Sequence, residues 1–222
     1  LANCLSILEA IRLTNKLDIK FFNASSTDCY GDMNIETINE DYKFFPKSPY
    51  ASGKAACTMA VDVYKNAYGL YAVSGILSNH ESILRNENFV TMKCVYSAKR
   101  ISEGTLDSLQ LGNISIKRDW GWAEEYVDAM RLMLNNSTPT SYIIATGKTV
   151  SLEYFIEGVF NYFNLDYQNY IEINKDYIRP NEIKEINLDP GKIKNDLAWS
   201  AAYNIDKVIE MLCSSTFINK ND

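Results

Sequence analysis

The residues best suited to chemistry lie in two short runs. Tyr50 and Lys54 form a Tyr-x-x-x-Lys pair within Ser48-Pro49-Tyr50-Ala51-Ser52-Gly53-Lys54. Residues four apart on a helix share a face, so the Lys54 ammonium is expected to lie near the Tyr50 phenol and lower its pKa. A phenolate held that way takes a proton from an alcohol as hydride leaves the same carbon. The spacing alone is weak, because a chain with 15 tyrosines produces such pairs by chance. Its position adds weight: one loop upstream, the hydroxyl-rich run Ser25-Ser26-Thr27-Asp28 follows a short apolar stretch. The end of such a strand is where an open α/β sheet places its chemistry. Asp28 equally suits an Asx turn closing that strand.

The elements that must bring these residues together can be read from the pattern. Residues 19–24 are expected as a strand. Pro49 suits the first turn of a helix over about 50–68, and Gly69 closes it. A buried strand at 71–77 is followed by a polar loop through Glu87 and a helix over about 90–102. Residues 117–120 lead into a helix over about 123–134, and 142–145 read as a strand. Ser151 and Glu153 open another helix, an acidic turn falls at Asp189-Pro190, and the last helix covers about 205–213. At the start, Leu5, Ile7, Leu8, Ile11 and Leu13 fall largely on one helical stripe with no cap at hand, so the chain is expected to begin inside a longer helix. Helices alternating with short β-rich runs argue for an α/β sandwich around a mostly parallel sheet.

Several runs, in order, carry a more specific signal: Ser25-Ser26-Thr27-Asp28-Cys29-Tyr30-Gly31, the Tyr50 segment, Ser78-Asn79-His80-Glu81-Ser82, Lys117-Arg118-Asp119-Trp120-Gly121, Ile144-Ala145-Thr146-Gly147 and Tyr177-Ile178-Arg179-Pro180. Together they resemble the GDP-mannose 4,6-dehydratase family of extended short-chain dehydrogenase/reductases over essentially the whole chain. The resemblance implies an incomplete Rossmann-like doubly wound parallel sheet with a smaller C-terminal substrate-binding region. Residues 1–79 would be what remains of the NADP-binding domain with the catalytic residues, and 80–222 mainly substrate-binding, with 119–146 returning to the Rossmann domain.

It also implies a reaction, the NADP-dependent dehydration of a nucleotide sugar, GDP-mannose to GDP-4-keto-6-deoxymannose. Tyr50 would take the C4 hydroxyl proton, Ser26 would hydrogen-bond the C4 oxygen, and Asp28 would take the C5 proton as the C6 hydroxyl leaves. Lys54, His80 and Arg85 would hold the cofactor. Asn79, Lys93, Arg118, Arg179 and Glu182 would contact the nucleotide sugar, the cations facing its diphosphate. Plainer roles stand beside these: His80 as a surface loop residue, Arg118 capping a strand end or pairing with Asp119, and Glu81, Glu87, Glu124 and Glu125 as solvated charges.

This chain departs from the family pattern at several points. Asp28 stands in place of a glutamate and Ser26 in place of a threonine; Ile83, Leu84 and Asn86 replace proline, arginine and glycine; Met92 replaces an arginine. No G-x-x-G-x-x-G turn occurs among its 10 glycines, so an N-terminally truncated enzyme and a degenerate, non-catalytic homologue are both expected readings, with a nucleotide-sugar epimerase or decarboxylase as a third.

Composition narrows the remaining classes. With 222 residues, 46% hydrophobic, and 22 Lys+Arg against 28 Asp+Glu, the chain fits an ordinary globular protein without a basic block for nucleic acid. No apolar run approaches the roughly 18 residues needed to span a bilayer. Five scattered cysteines and a single histidine offer no metal-ligand spacing and suit reduced thiols. A cytoplasmic enzyme, homo-oligomeric when full length, is the expectation.

Overall fold

The computed structural model describes residues 1–32, 37–178 and 181–216. The chain opens with helix α1 (Ala2–Leu13) and strand β1 (Phe21–Ala24), which runs into a 3-10 turn at Thr27–Tyr30. After β2 (Thr37–Ile38) comes the long helix α2 (Pro49–Tyr68). Its ends follow from the sequence: Ser48 Oγ accepts the Ala51 N–H at 3.1 Å, Pro49 fills the first turn, and Gly69 at φ 68° takes the left-handed conformation that stops the helix. Next are β3 (Ala72–Leu77), β4 (Asn79–Glu81), α3 (Val90–Ser102), β5 (Leu109–Leu111), β6 (Lys117–Trp122), α4 (Ala123–Asn135), β7 (Tyr142–Ile144), β8 (Thr149–Ser151) and α5 (Leu152–Tyr162). Strands β9 (Ile171–Ile173) and β10 (Asn187–Leu188) and helices α6 (Gly191–Leu197) and α7 (Ile205–Ser215) complete it.

The central sheet has the order β1-β3-β7 and is parallel throughout, with Ala24 opposite Gly75 and Leu77 opposite Ile144. Parallel neighbours need crossovers, and helices α2 and α4 supply them. The strands therefore end along one edge, where Ser25 and Ser26, Ser78, and Thr146 follow. Four residues in the order Val73, Tyr126, Met133 and Ile144 anchor a core under α4, while Leu8, Ile11, Val61 and Ala72 fill the space under α1 and α2. A separate core, with Val95, Phe155, Val159 and Leu212, joins α3, α5 and α7. Strand β6 runs parallel to β4 and antiparallel to β8; β5 pairs with β9 and β2 with β10, both parallel.

Four expectations are corrected. The polar loop after residue 77 contains strand β4, and the lead-in at 117–120 is the strand β6, which passes into α4 without a loop. The acidic turn at Asp189-Pro190 starts helix α6. Along α1 the buried stripe is Leu8 and Ile11, with Leu5, Ile7 and Leu13 exposed. Among the described residues no helix is long and apolar enough to cross a membrane.

Candidate active site

Ser26 stands two residues past β1 in extended backbone and caps the 3-10 turn, its Oγ accepting the Asp28 N–H at 3.2 Å. The Ser26 hydroxyl thus closes the turn, and the Asp28 carboxylate is left to line a cleft, which sets aside the Asx-turn role. Tyr50, in the first turn of α2, brings its phenol close to the Ser26 hydroxyl, which stabilises the ionised form. Lys54 lies one turn on; its Nζ donates to Ala24 O at 2.7 Å and sits 5.6 Å from the centre of the Tyr50 ring. A second tie fixes α2 against the strand end: Ser25 and Thr58 hydroxyls meet at 2.6 Å, both side chains buried.

The expected direction of the Tyr50 pKa is corrected. Burial pushes the phenol above its ordinary value, with Ser26 acting against that and Asp28 adding to it. The Lys54 charge is turned to the strand's carbonyl instead of the phenol.

The cleft beside this group measures about 440 Å³, the size of a small-ligand site. Asp28, Asn79, Lys93, Arg118, Trp120 and Glu182 line it. Lys93 Nζ donates to Gln110 O at 2.9 Å and stands 5.0 Å from the centre of the Tyr177 ring. Glu182 Oε2 and Trp120 Nε1 are buried without a hydrogen-bond partner among the described residues. Gly112 forms another part of the wall, where a Cβ would come within 2.7 Å of Tyr177 O. Arg179 lies outside the described residues.

His80 and Arg85 line a neighbouring pocket of about 380 Å³. The imidazole faces Ser78 O through Nδ1 at 2.8 Å, so Nδ1 carries the proton and Nε2 is the acceptor. Arg85 is held by Glu81, Nε at 2.9 Å and Nη2 at 3.2 Å, and by His80 O at 2.9 Å. Glu81, 2% exposed, also accepts the Thr91 hydroxyl at 2.9 Å, so it is a buried ion-pair partner and not a solvated charge. Glu125 is likewise engaged, accepting the Ala202 N–H at 2.6 Å.

The residue that sequence reasoning missed as a support is Asp119. It is 2% exposed and accepts Ser78 Oγ and the N–H groups of Thr146, Gly147 and Lys148 at 2.7–3.1 Å. It makes none of the expected pairing with Arg118, which donates to Lys117 O at 2.7 Å. Burial pushes the Asp119 carboxyl up, opposed by the Thr146 and Ser78 donors. Since Ser78 donates to Asp119, the Tyr126 hydroxyl donates to Ser78 at 2.5 Å, and the Tyr126 ring stacks on His80. Gly121 leaves room for that ring, which a Cβ there would strike. The available signal was the Thr146-Gly147 turn directly after β7, whose exposed N–H groups need an acceptor.

The parallel sheet, its crossover helices and the strand-end Ser26–Tyr50–Lys54 group define a Rossmann-type α/β protein of the short-chain dehydrogenase/reductase class. The fold is shared with dTDP-glucose 4,6-dehydratase from Bacillus anthracis, solved with NAD (TM-score 0.86, 20% identity, 97% of this chain and 67% of that one). It is shared also with UDP-glucose 4-epimerase from Thermus thermophilus (TM-score 0.81, 24% identity, 96% and 68%). The GDP-mannose 4,6 dehydratase family model matches residues 2–212, and the chain belongs to that family. GDP-mannose 4,6 dehydratase 1 of Arabidopsis thaliana is 39% identical over 211 residues, 94% of this chain and 58% of that protein. The Homo sapiens GDP-mannose 4,6 dehydratase is 34% identical over 223 residues, 92% and 60%. The chain thus spans about three-fifths of the length of these relatives.

Proposed function

We propose that this chain supplies the catalytic and substrate-binding portion of an NADP-dependent GDP-mannose 4,6-dehydratase, forming GDP-4-keto-6-deoxymannose and water. The observation that carries this is the convergence of Ser26, Asp28 and Tyr50 at the end of β1, with Asp28 opening onto a cleft walled by Lys93 and Arg118. Residues 1–79 hold the catalytic group; 80–222 mainly form the substrate side, with 119–146 returning to the sheet.

A nicotinamide cofactor, when bound, supplies reversible hydride acceptance. The donor set beside Tyr50 fits its nicotinamide half: the Lys54 ammonium suits ribose hydroxyls and His80 Nε2 offers an acceptor, while Arg85 remains tied to Glu81. NADPH in the related structure of RMD from Pseudomonas aeruginosa supports the phosphorylated form. Tyr50 takes the C4 hydroxyl proton and Ser26 holds the C4 oxygen. The C4 ketone acidifies the C5 hydrogen; Asp28 would take that proton and pass it to the departing C6 hydroxyl, which leaves as water, and return of the hydride to C6 with the Tyr50 proton going back to C5 would complete the 6-deoxy sugar. Lys93 and Arg118 neutralise the diphosphate, and Glu182, with its buried unpartnered oxygen, accepts from a nucleotide hydroxyl.

The test is calorimetric titration of the chain with GDP-mannose, followed by an assay for the 4-keto sugar in a hybrid joining this chain to the part of the Arabidopsis relative it does not span. Saturable binding weakened by Arg118→Ala and a keto product lost in Tyr50→Phe are expected. Absence of both binding and product would overturn the proposal.

A further inference from the structure

Helices α1 and α2 lie side by side and point the same way. Tyr64 donates to Glu9 at 2.9 Å, and the Arg12 guanidinium stands 5.2 Å from the centre of the Tyr68 ring, so successive turns of one helix meet successive turns of the other. Between them Leu8 and Ile11 of α1 pack with Val61 of α2. Cys4 lies one turn before Leu8 and Cys57 one turn before Val61, on the same two faces. The ladder therefore brings the two cysteines level, and the Cys57 thiol is close enough to act electrostatically on Cys4. Cys4 is partly exposed and packs against this core, and Cys57 is buried.

We propose that Cys4 and Cys57 form an oxidation site at which a peroxide converts the two thiols into a disulfide bridging α1 and α2. The Cys4 thiolate attacks one peroxide oxygen; an S–O bond forms, the O–O bond breaks and water departs, leaving a sulfenic acid. The Cys57 sulfur then attacks the Cys4 sulfur, forming the S–S bond and releasing the second water, so two thiols and one hydrogen peroxide give one disulfide and two waters. Burial, reinforced by Cys57, pushes the Cys4 thiol up to about 11, so the first step is slow at neutral pH, while the shared level of the two cysteines on packed helices favours capture by Cys57. Cys94 and Cys213, buried and pushed up to about 12, are poor competitors. The bridge closes a long loop and fixes α1 to α2 one turn beyond Lys54, independently of whether the cleft turns over a substrate.

Intact-mass measurement and non-reducing peptide mapping after hydrogen peroxide treatment test this on the chain, on Cys4→Ser and on Cys57→Ser. The expected wild-type product has lost two hydrogens, carries a peptide linking residues 4 and 57, and returns to its starting mass with dithiothreitol. In Cys57→Ser the bridge disappears and Cys4 gains oxygen atoms instead. Oxygen adducts on wild-type Cys4 without a bridge, a bridge between two chains, or thiols left untouched after prolonged peroxide treatment at alkaline pH, where the Cys4 thiolate forms, would each overturn the proposal.

Discussion

Asp28 carries a carboxylate about 1.5 Å shorter in reach than the glutamate of the family pattern, and a displacement of that size near reacting atoms costs roughly a hundredfold in rate. Asp28→Glu in the active hybrid should therefore raise turnover, while Asp28→Asn, which keeps size and removes basicity, should abolish elimination. Neither should prevent the first half-reaction, so transient NADPH absorbance would persist in Asp28→Asn as the 4-keto-6-deoxy product vanishes; loss of both signals would count against the assigned role. Tyr50 makes a separate prediction. Its phenol is raised by burial, so the ionised form is scarce at neutral pH, and the proton-abstraction rate should climb with pH toward values above the ordinary phenol pKa of about 10. Tyr50→Phe should lower it by about 10²–10⁴-fold and flatten that climb in a stopped-flow pH series.

At the level of elements, α2 is held to the sheet by the Ser25–Thr58 pair and by Lys54 on Ala24 O. Thr58→Val leaves the buried Ser25 hydroxyl short of a partner, which costs about 1–3 kcal/mol, measurable as a lower urea midpoint with an unchanged slope. Strand β7 has its own fastening: Glu40 accepts the Ile143 N–H at 2.8 Å, and burial raises its carboxyl above the usual range. A carboxyl raised on folding stabilises fully below its unfolded pKa, about 4.3, and loses that contribution as pH rises through the folded value. Glu40→Gln keeps the acceptor and removes the titration. Its stability relative to wild type should improve between pH 4 and pH 7; a difference that stays flat across urea titrations in that range would contradict the assignment.

For the whole molecule, the central sheet and the α3–α5–α7 core meet where Asp119 ties β6 to the turn after β7. The cleft proposed for a nucleotide sugar lies within this chain, whereas the sequence carries no glycine-rich turn for a dinucleotide pyrophosphate. Calorimetry on the chain should show GDP-mannose binding and little or no NADP binding; low-micromolar NADP affinity would show that Lys54, His80 and Arg85 suffice by themselves.

Local rules determined much of this protein from sequence alone. Ser48, Pro49 and Gly69 set both ends of α2, and the order Ser26, Tyr50, Lys54 marked the candidate catalytic group, because caps, proline and left-handed glycine act within a few residues. Strands β4, β6 and β8 escaped, since segments of three to six residues have too little periodicity and draw their order from partners far along the chain. Charge states escaped for the same reason. Glu81 read as a solvated charge and Asp119 only as a partner for Arg118 until packing buried both and supplied Arg85, Thr91, Ser78 and the 146–148 turn as partners. The Tyr50 phenol was raised instead of lowered because the spacing put Lys54 within reach, while the fold gave Lys54 a nearer acceptor in Ala24 O. Desolvation and competition between partners are sums over residues distant in sequence, and only the tertiary structure evaluates them.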